Sequence, residues 1–593
     1  MPPRGRLAWP AERERPAARP LDAPAGWRPD APGRGPRRAR PRSDRVTRAL
    51  TWSAAAGIGG AALVMVAVAL AGPSRSVVHL SPAQAGPLQS LQLHPSQMLV
   101  AVAVWSAVVA GGAGVAAALA AVARGARPSG RLLAGLGLAL AAVLAVAPPA
   151  GSTDTLDYAS YGRMVVIQHD PYVMTPRQLK LSGDPIGRIV PRPWQGVHSV
   201  YGPLATLEQA AAAELGGTSP GWILFWLKLW NLIAFGVVVL ALDRLLRRDP
   251  ARRARAHLLW SVNPLLLWVL VAGGHIDAFA AAFGFIGLLV LRPGGGLGGA
   301  DGAGHSSAPL RWRPALYTLR NTPPRPHGGW GVRSRLAGLC ERVIEAWEGA
   351  GQGPADPGML RGFVAGGLIG AAADLKITFI LFGLGAAWAA RRSRRTLAAL
   401  AGGALAVLVP SYLWFGPPAI TVLLTHSSAT ADNLYRIFAE ALGTARLPQL
   451  SMVALPVLGV TALLLLRRLP DGFPRLPAVR PAFALSLAWL LTWPYQRPWY
   501  DAMAFCLLAL YPASRLDWPL IWRLVAGVLY STPGMPGTLS IRPLGVIERE
   551  LMVFVIPALR LAALAAVLVL CVTAAWYPHE QLRPRLAGLV PLR

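Results

Sequence analysis

The stretch Arg131–Arg163, RLLAGLGLALAAVLAVAPPAGSTDTLDYASYGR, holds an apolar run over 131–149 followed at once by Asp154, Asp157, Tyr158 and Arg163. As a helix, a run of that length rises about 28 Å, close to the roughly 30 Å hydrocarbon core of a bilayer. Carboxylates directly at the edge of such a run are costly to place and need a reason to be there.

Outward from this stretch the same pattern recurs. The 593 residues are 54% hydrophobic and only 15% charged, against about a quarter charged in ordinary soluble domains. Mean hydropathy is +0.42. Apolar runs are expected to span near 50–72, 98–122, 131–149, 221–243, 256–272, 274–292 and 360–373. Others follow near 377–391, 396–414, 450–466, 480–494, 501–514, 519–531 and 551–576. The fold class is therefore an all-α polytopic membrane protein with about 11–14 transmembrane helices and a large outer loop after the third span.

The formal charge of +30 comes almost wholly from arginine, with lysine only at Lys180, Lys228 and Lys376. In a membrane chain this reads as orientation rather than nucleic-acid binding, because Arg and Lys are retained on the cytoplasmic side. Basic connections at Arg124–Arg131, Arg244–Arg255, Arg292–Arg361, Arg391–Arg395 and Arg467–Arg480, with both termini, are expected inside. The connections left outside carry nearly every unusual polar group: Ser152–Ser219, Gly274–Asp277, Asp374–Lys376, Thr425–Gln449 and Trp493–Asp501.

This gives a basic, disordered cytoplasmic tail over 1–48 and an N-terminal transmembrane module over 49–292 with an outer catalytic loop over 150–220. A basic cytoplasmic segment follows over 293–360, then a C-terminal transmembrane module over 361–576 and a tail over 577–593. Within the basic segment Val332, Leu336, Val343 and Trp347 recur at helical spacing, which suggests an interfacial helix over 332–348. The first residues are too long and too arginine-rich throughout for a secretory signal. Cys340, Cys506 and Cys571 show no CxxC pair and no disulfide or zinc framework.

Each outer constellation has a chemical and a structural reading. Asp154, Tyr158, Gly162 and Arg163 form D-x-x-x-Y-x-x-x-G-R, and Asp154, Asp157 and Tyr158 share one face of a helix. A carboxylate pair at the membrane edge suits a general base; alternatively Ser152, Thr153 or Asp154 merely caps the helix. His169-Asp170-Pro171-Tyr172 lies close by, and Tyr201-Gly202-Pro203 introduces an amphipathic stretch, Leu204–Leu215, expected on the membrane surface. His275 and Asp277 either serve the site or close a tight turn between two spans. Lys376 is either a compact charge for a phosphate or the partner of Asp374. Arg497, Trp499 and Tyr500, in WPYQRPWYD, either clamp a phosphate and a sugar or belong to an interfacial aromatic belt.

The order of these pieces, with their sidedness, resembles the polyprenyl-phosphomannose-dependent α-1,6-mannosyltransferases of actinobacterial envelopes, within the GT-C glycosyltransferase superfamily. The likeness covers roughly Asp154 to Asp501. Ile276 departs from it, at a position where the family more often carries Asn, and the long basic segment is an addition. The resemblance implies a polyprenyl-phosphate sugar as donor, a glycan or glycolipid as acceptor and an active site on the extracytoplasmic face of the cell membrane. It implies an aspartate early in the first large outer loop as catalytic base, here Asp154 with Asp157 as fallback. Lys376, Arg497, Arg163 and His275 are then candidates for the donor phosphate. Tyr158, Asp170, Tyr172, Tyr201, Asp277, Trp499 and Tyr500 are candidates for substrate contact. Membrane lipids are the surrounding partners, nucleic acid is not expected, and a divalent metal is neither required nor excluded. The rival reading is a multi-pass lipid or solute transporter or flippase, whose charges would sit near the midplane instead.

Overall fold

The computed structural model describes residues 42–292, 358–425, 447–532 and 539–577, apart from positions 193, 474 and 540. The interfacial helix expected over 332–348, Cys340, most of the tail 1–48, most of Thr425–Gln449 and the tail after 577 lie outside the described residues.

In chain order the helices are α1 (Arg42–Ala71), α2 (Gln97–Ala123), α3 (Gly130–Val146), α4 (Asp154–Val166), α5 (Pro176–Leu181), α6 (Pro185–Ile189) and α7 (Pro203–Gly216). Then come α8 (Pro220–Leu245), α9 (Pro250–Leu259), α10 (Pro264–Leu266), which runs on as a π-helical turn over Leu267–Ala272, and α11 (Asp277–Val290). The second half holds α12 (Met359–Leu375), α13 (Ile380–Ala390), α14 (Arg394–Phe415), α15 (Pro417–Thr425), α16 (Leu447–Arg468) and α17 (Val479–Thr492). It closes with α18 (Ala502–Leu508), α19 (Asp517–Ser531), α20 (Arg542–Glu550) and α21 (Ile556–Thr573).

Local chemistry sets many of these starts. Ser96 and Ser129 accept from the amides of Leu99 and Leu132 at the N-termini of α2 and α3. Proline stands at the start of α5 to α10, where its missing N–H leaves no helical bond unmade.

The protein is an all-α polytopic membrane protein. Among the described residues six helical segments are long and apolar enough to cross a bilayer: Arg45–Ala71, Gln97–Ala123, Pro220–Leu245, Pro250–Ala272, Arg394–Phe415 and Arg542–Thr573. Gly130–Val146, Asp277–Val290, Ile377–Ala390 and Val479–Thr492 are shorter apolar helices. The apolar window of Pro250–Ala272 is wholly buried, whereas that of Arg394–Phe415 is only 17% buried and keeps most of its apolar surface outward.

Two segments carry more detail than the sequence reading. The span expected over 256–272 falls within Pro250–Ala272 and is interrupted at Asn263-Pro264, where proline removes a backbone donor and the chain restarts with Asn263 capping Leu265. The outer loop folds into four helices, α4 to α7. Its amphipathic stretch, α7, buries Thr206, Gln209, Ala212 and Ala213 against α4 and α8, so that face is covered by protein.

Candidate active site

Asp154 is the first residue of α4, and what precedes it is pinned on both sides. The Ala150 amide donates to the Ala272 carbonyl (2.9 Å), Gly151 to Ser76 (2.6 Å), and Val78 to Pro149 (3.0 Å). Gly151 adopts φ +80°, and a Cβ there would run into the Trp268 indole, so only glycine makes this turn. Deeper down, Lys228 of α8 donates to the carbonyls of Leu144 (2.8 Å) and Ala147 (2.5 Å) at the end of α3. One turn on, Asn231 donates to the Gly274 carbonyl at 3.0 Å. One helix thus holds both the connection that carries Asp154 and the one that carries His275. A lysine inside an apolar run was the available signal for Lys228.

Thr153 occupies the N-cap position of α4 without a side-chain cap bond. Asp154 is instead held by Ser152, whose Oγ donates to Oδ1 at 3.0 Å, and its side chain stays 15% exposed. Ser152 Oγ also accepts the Asp154 amide at 3.2 Å, while Thr153 makes no side-chain cap bond. Asp154 and Asp157 lie in the connection between spanning helices, and both carboxyls titrate above the ordinary carboxylate range. For Asp154 burial raises the value, while the Ser152 hydrogen bond and the charges of Lys376 and Arg497 pull it back. For Asp157 burial and the neighbouring Asp154 charge both push it well up, and its Oδ1 finds no partner among the described residues.

Around Asp154 the distant segments converge. His275 Nδ1 is 3.7 Å from Asp154 Oδ2, beyond a hydrogen bond, and the imidazole stacks on Trp499 with centroids 3.6 Å apart and planes 15° off parallel. Neither His275 nitrogen has a hydrogen-bond partner among the described residues. Lys376 Nζ donates to Asp277 Oδ2 at 2.8 Å and sits 4.3 Å from the Tyr500 ring centroid and 5.7 Å from that of Tyr201. Tyr201 in turn donates to the Tyr158 hydroxyl at 3.2 Å. The His275–Asp277 turn is therefore not closed on itself, and Lys376 takes its partner from a helix 99 residues away in sequence rather than from Asp374.

Asp374 has a different task. Its Oδ1 accepts the Leu204 amide at the start of α7. Gly202 lies so close that a Cβ would collide with the Asp374 carbonyl. The Tyr201-Gly202-Pro203 turn is thus docked onto the end of α12, which fixes Tyr201 beside Lys376.

The late aromatic segment is held from α19. Arg523 binds Asp501, donates to Gln496 Oε1 at 2.9 Å and to the Leu490 carbonyl at 3.0 Å, and so fixes both ends of the turn that presents Arg497, Trp499 and Tyr500. The Arg497 guanidinium lies 4.9 Å from the Tyr495 ring and 5.1 Å from that of Tyr530, which also meets Arg560 at 5.4 Å. Arg523, Tyr530 and Arg560 were not foreseen; an arginine inside an apolar run was the available signal for Arg523 and Arg560, as for Lys228, whereas Tyr530 had none.

Three expected members are elsewhere. Arg163 lies nine residues along α4, about 13 Å from Asp154, and pairs with Asp184 at 2.8 Å. Asp170 accepts the Tyr172 amide (2.8 Å), and the Tyr172 hydroxyl bonds to the Tyr201 carbonyl (2.9 Å) and Thr206 (2.9 Å) while its ring packs on Phe415. These residues brace the loop rather than line the cluster. Among the described residues no group of three or more His, Cys, Asp or Glu is assembled as a metal site.

Bundle and site together define a membrane protein with, at one end, a carboxylate flanked by cations and aromatic rings. Residues 54–309 match the family described as α-(1→6)-mannopyranosyltransferase, N-terminal domain. The chain is 31% identical over 175 residues to a Mycolicibacterium smegmatis protein named "probable alpha-(1->6)-mannopyranosyltransferase", covering 29% of this chain and 30% of that one. It is 30% identical over 196 residues to an α-(1→6)-mannopyranosyltransferase of Mycobacterium tuberculosis, covering 32% of each. The chain thus spans about a third of the length of the curated relatives it matches. No solved structure matches. The resemblance read from the motifs and the comparisons point to the same mannosyltransferases.

Proposed function

We propose that the protein is a glycosyltransferase that moves mannose from a polyprenyl-phosphate donor to a glycan or glycolipid acceptor at the extracytoplasmic face. The observation that carries the reading is the convergence of Asp154, Tyr158, Tyr201, His275, Lys376, Arg497 and Trp499, drawn from segments more than 300 residues apart, around one partly open carboxylate. The names of the relatives supply the sugar.

The chemistry needs three services. An acceptor hydroxyl loses its proton to the Asp154 carboxylate as its oxygen bonds to the sugar anomeric carbon. The bond from that carbon to the phosphate oxygen breaks, and the electron pair leaves with the lipid phosphate. Lys376 and Arg497 stabilise the charge that accumulates there. The faces of Trp499, Tyr500 and Tyr201 offer stacking surface to sugar and isoprenoid. With one base and no second nucleophile in this scheme, displacement inverts the anomeric centre, so a β-linked donor yields an α-linked product. The carboxyl's raised pKa favours taking a proton and holding it.

The test is transfer by the purified protein in proteoliposomes, offered polyprenyl phosphates carrying mannose, arabinose or galactose, with a short mannose oligomer as acceptor. An α-linked product from the mannose donor supports the reading. No transfer from any lipid-linked sugar, by folded protein, overturns it in favour of transport. A cysteine placed at Val173, 58% exposed, reports the sidedness: an impermeant reagent should reach it from outside.

A further inference from the structure

At the end of the bundle opposite the active site, α2 and α19 part company. They touch closely at Gly112, where a Cβ would overlap the Val525 side chain. Towards the last turn of α2 and the first of α19 they diverge, and a crevice of about 220 Å³ opens between them. Its deep wall is apolar, from Leu119, Ala120 and Ile521, and its mouth carries Arg124, Arg515 and the Trp518 indole. Trp518 is 46% exposed.

The charge in this crevice is unbalanced. Its carboxylate, Asp517, is already engaged: Arg255 donates to both of its oxygens from the protein interior, and the Ser514 amide donates to one of them. Arg124 donates only to the Ala120 carbonyl of its own helix, at 3.3 Å, and the Arg515 side chain makes no hydrogen bond or ion pair among the described residues. Two guanidinium groups therefore face a slot whose own anion is spent, above an apolar floor, at a helix end where a tryptophan marks the interface.

We propose that this crevice is a binding site for an anionic phospholipid, with its phosphate between Arg124 and Arg515 and one acyl chain along Leu119, Ala120 and Ile521. Guanidinium is the group best shaped to grip a phosphate through paired N–H donors. The apolar floor explains why a lipid, rather than a soluble phosphate, is the occupant. By the charge of the neighbouring connections this lipid belongs to the cytoplasmic leaflet. The site rests on the membrane fold alone and is independent of the transferase reading.

Native mass spectrometry of the full chain, released from detergent with added dioleoyl phosphatidylglycerol or dioleoyl phosphatidylcholine, tests it. Wild type should retain phosphatidylglycerol in preference to phosphatidylcholine. Arg124→Gln with Arg515→Gln should weaken that retention roughly thirtyfold, as expected for two basic side chains at an anionic headgroup. Ala120→Trp keeps both charges but fills the floor, and should also release the lipid. Arg127→Gln with Arg131→Gln, outside the crevice, should leave retention unchanged. Equal retention of both lipids, an equal loss in the Arg127/Arg131 variant, or full retention by Ala120→Trp would each overturn the proposal. So would displacement of the lipid by free glycerol phosphate, which would make this a soluble-anion site.

Discussion

The two ends of the bundle both bury charge, but they treat it differently. At the arginine-rich end, Arg255 is bound to Asp517 and to the carbonyls of Leu508 and Tyr511. Arg253 and His257 share Asp243, and His257 also meets Ser261 at 2.8 Å. At the opposite end, Asp157 Oδ1, Asp277 Oδ1 and both nitrogens of His275 are buried without hydrogen-bond partners among the described residues. An unmet buried polar group costs about 1–3 kcal/mol, so a fold keeps several together only where something else compensates. The Arg255 network acts as a lock that sets helix positions; on the proposed function, the open groups beside Asp154 are those a substrate would satisfy.

That contrast can be broken most forcefully at the lock. Arg255→Met leaves Asp517 buried and unpaired and frees two carbonyls, so stability in mild detergent should fall by about 3–5 kcal/mol. Adding Asp517→Asn should recover part of the loss. Thermal unfolding followed by fluorescence checks both, and the surviving folded enzyme should keep its KM for donor. A changed KM with unchanged stability would erase the distinction between the two ends.

Lys376→Gln is expected to act in the opposite way, raising KM for the lipid-linked donor about 10–100-fold, as for loss of a charge-assisted hydrogen bond worth about 1.5–3 kcal/mol. The pH profile sharpens this. Asp154 must be ionised to act as base, and burial already holds its pKa up, so the acid limb of kcat/KM lies above the ordinary carboxylate range. Removing the Lys376 charge removes one of the influences that lower this pKa, so the limb should move to higher pH. Lys376→Gln with Asp277→Asn separates two roles: recovery of KM would make Lys376 a mere partner of Asp277, and persistent loss would make it a ligand of the donor.

The smallest effect is expected at Arg163. Paired with Asp184 and remote from Asp154, its replacement by glutamine should leave kcat/KM close to wild type, because the pair does not touch the cluster. A loss as large as that of Lys376→Gln would return Arg163 to the site.

Much of this was legible in the chain. The runs expected at 98–122, 221–243 and 396–414 lie within two or three residues of α2, α8 and α14, because apolar length leaves little freedom in a membrane. The gathering of Asp154, His275, Lys376 and Arg497 followed from which connections were basic and which were not. Pairing was the part that sequence could not give. Asp374 and Lys376 are two residues apart, yet one caps α7 and the other binds Asp277, since neighbours on a turn point apart and partners are chosen by how helices pack. The same holds for Arg523 and Asp501, and for Lys228 beneath the Asp154 connection.

Single-turnover transfer by Asp154→Asn, with radiolabelled donor already bound, tests the central claim most directly. The account predicts donor affinity close to wild type and a transfer step slowed by about 10²–10⁴, the usual contribution of a positioned base. Transfer at the wild-type rate would remove Asp154 from the chemistry, and lost donor binding with an intact transfer step would make it part of the binding wall instead.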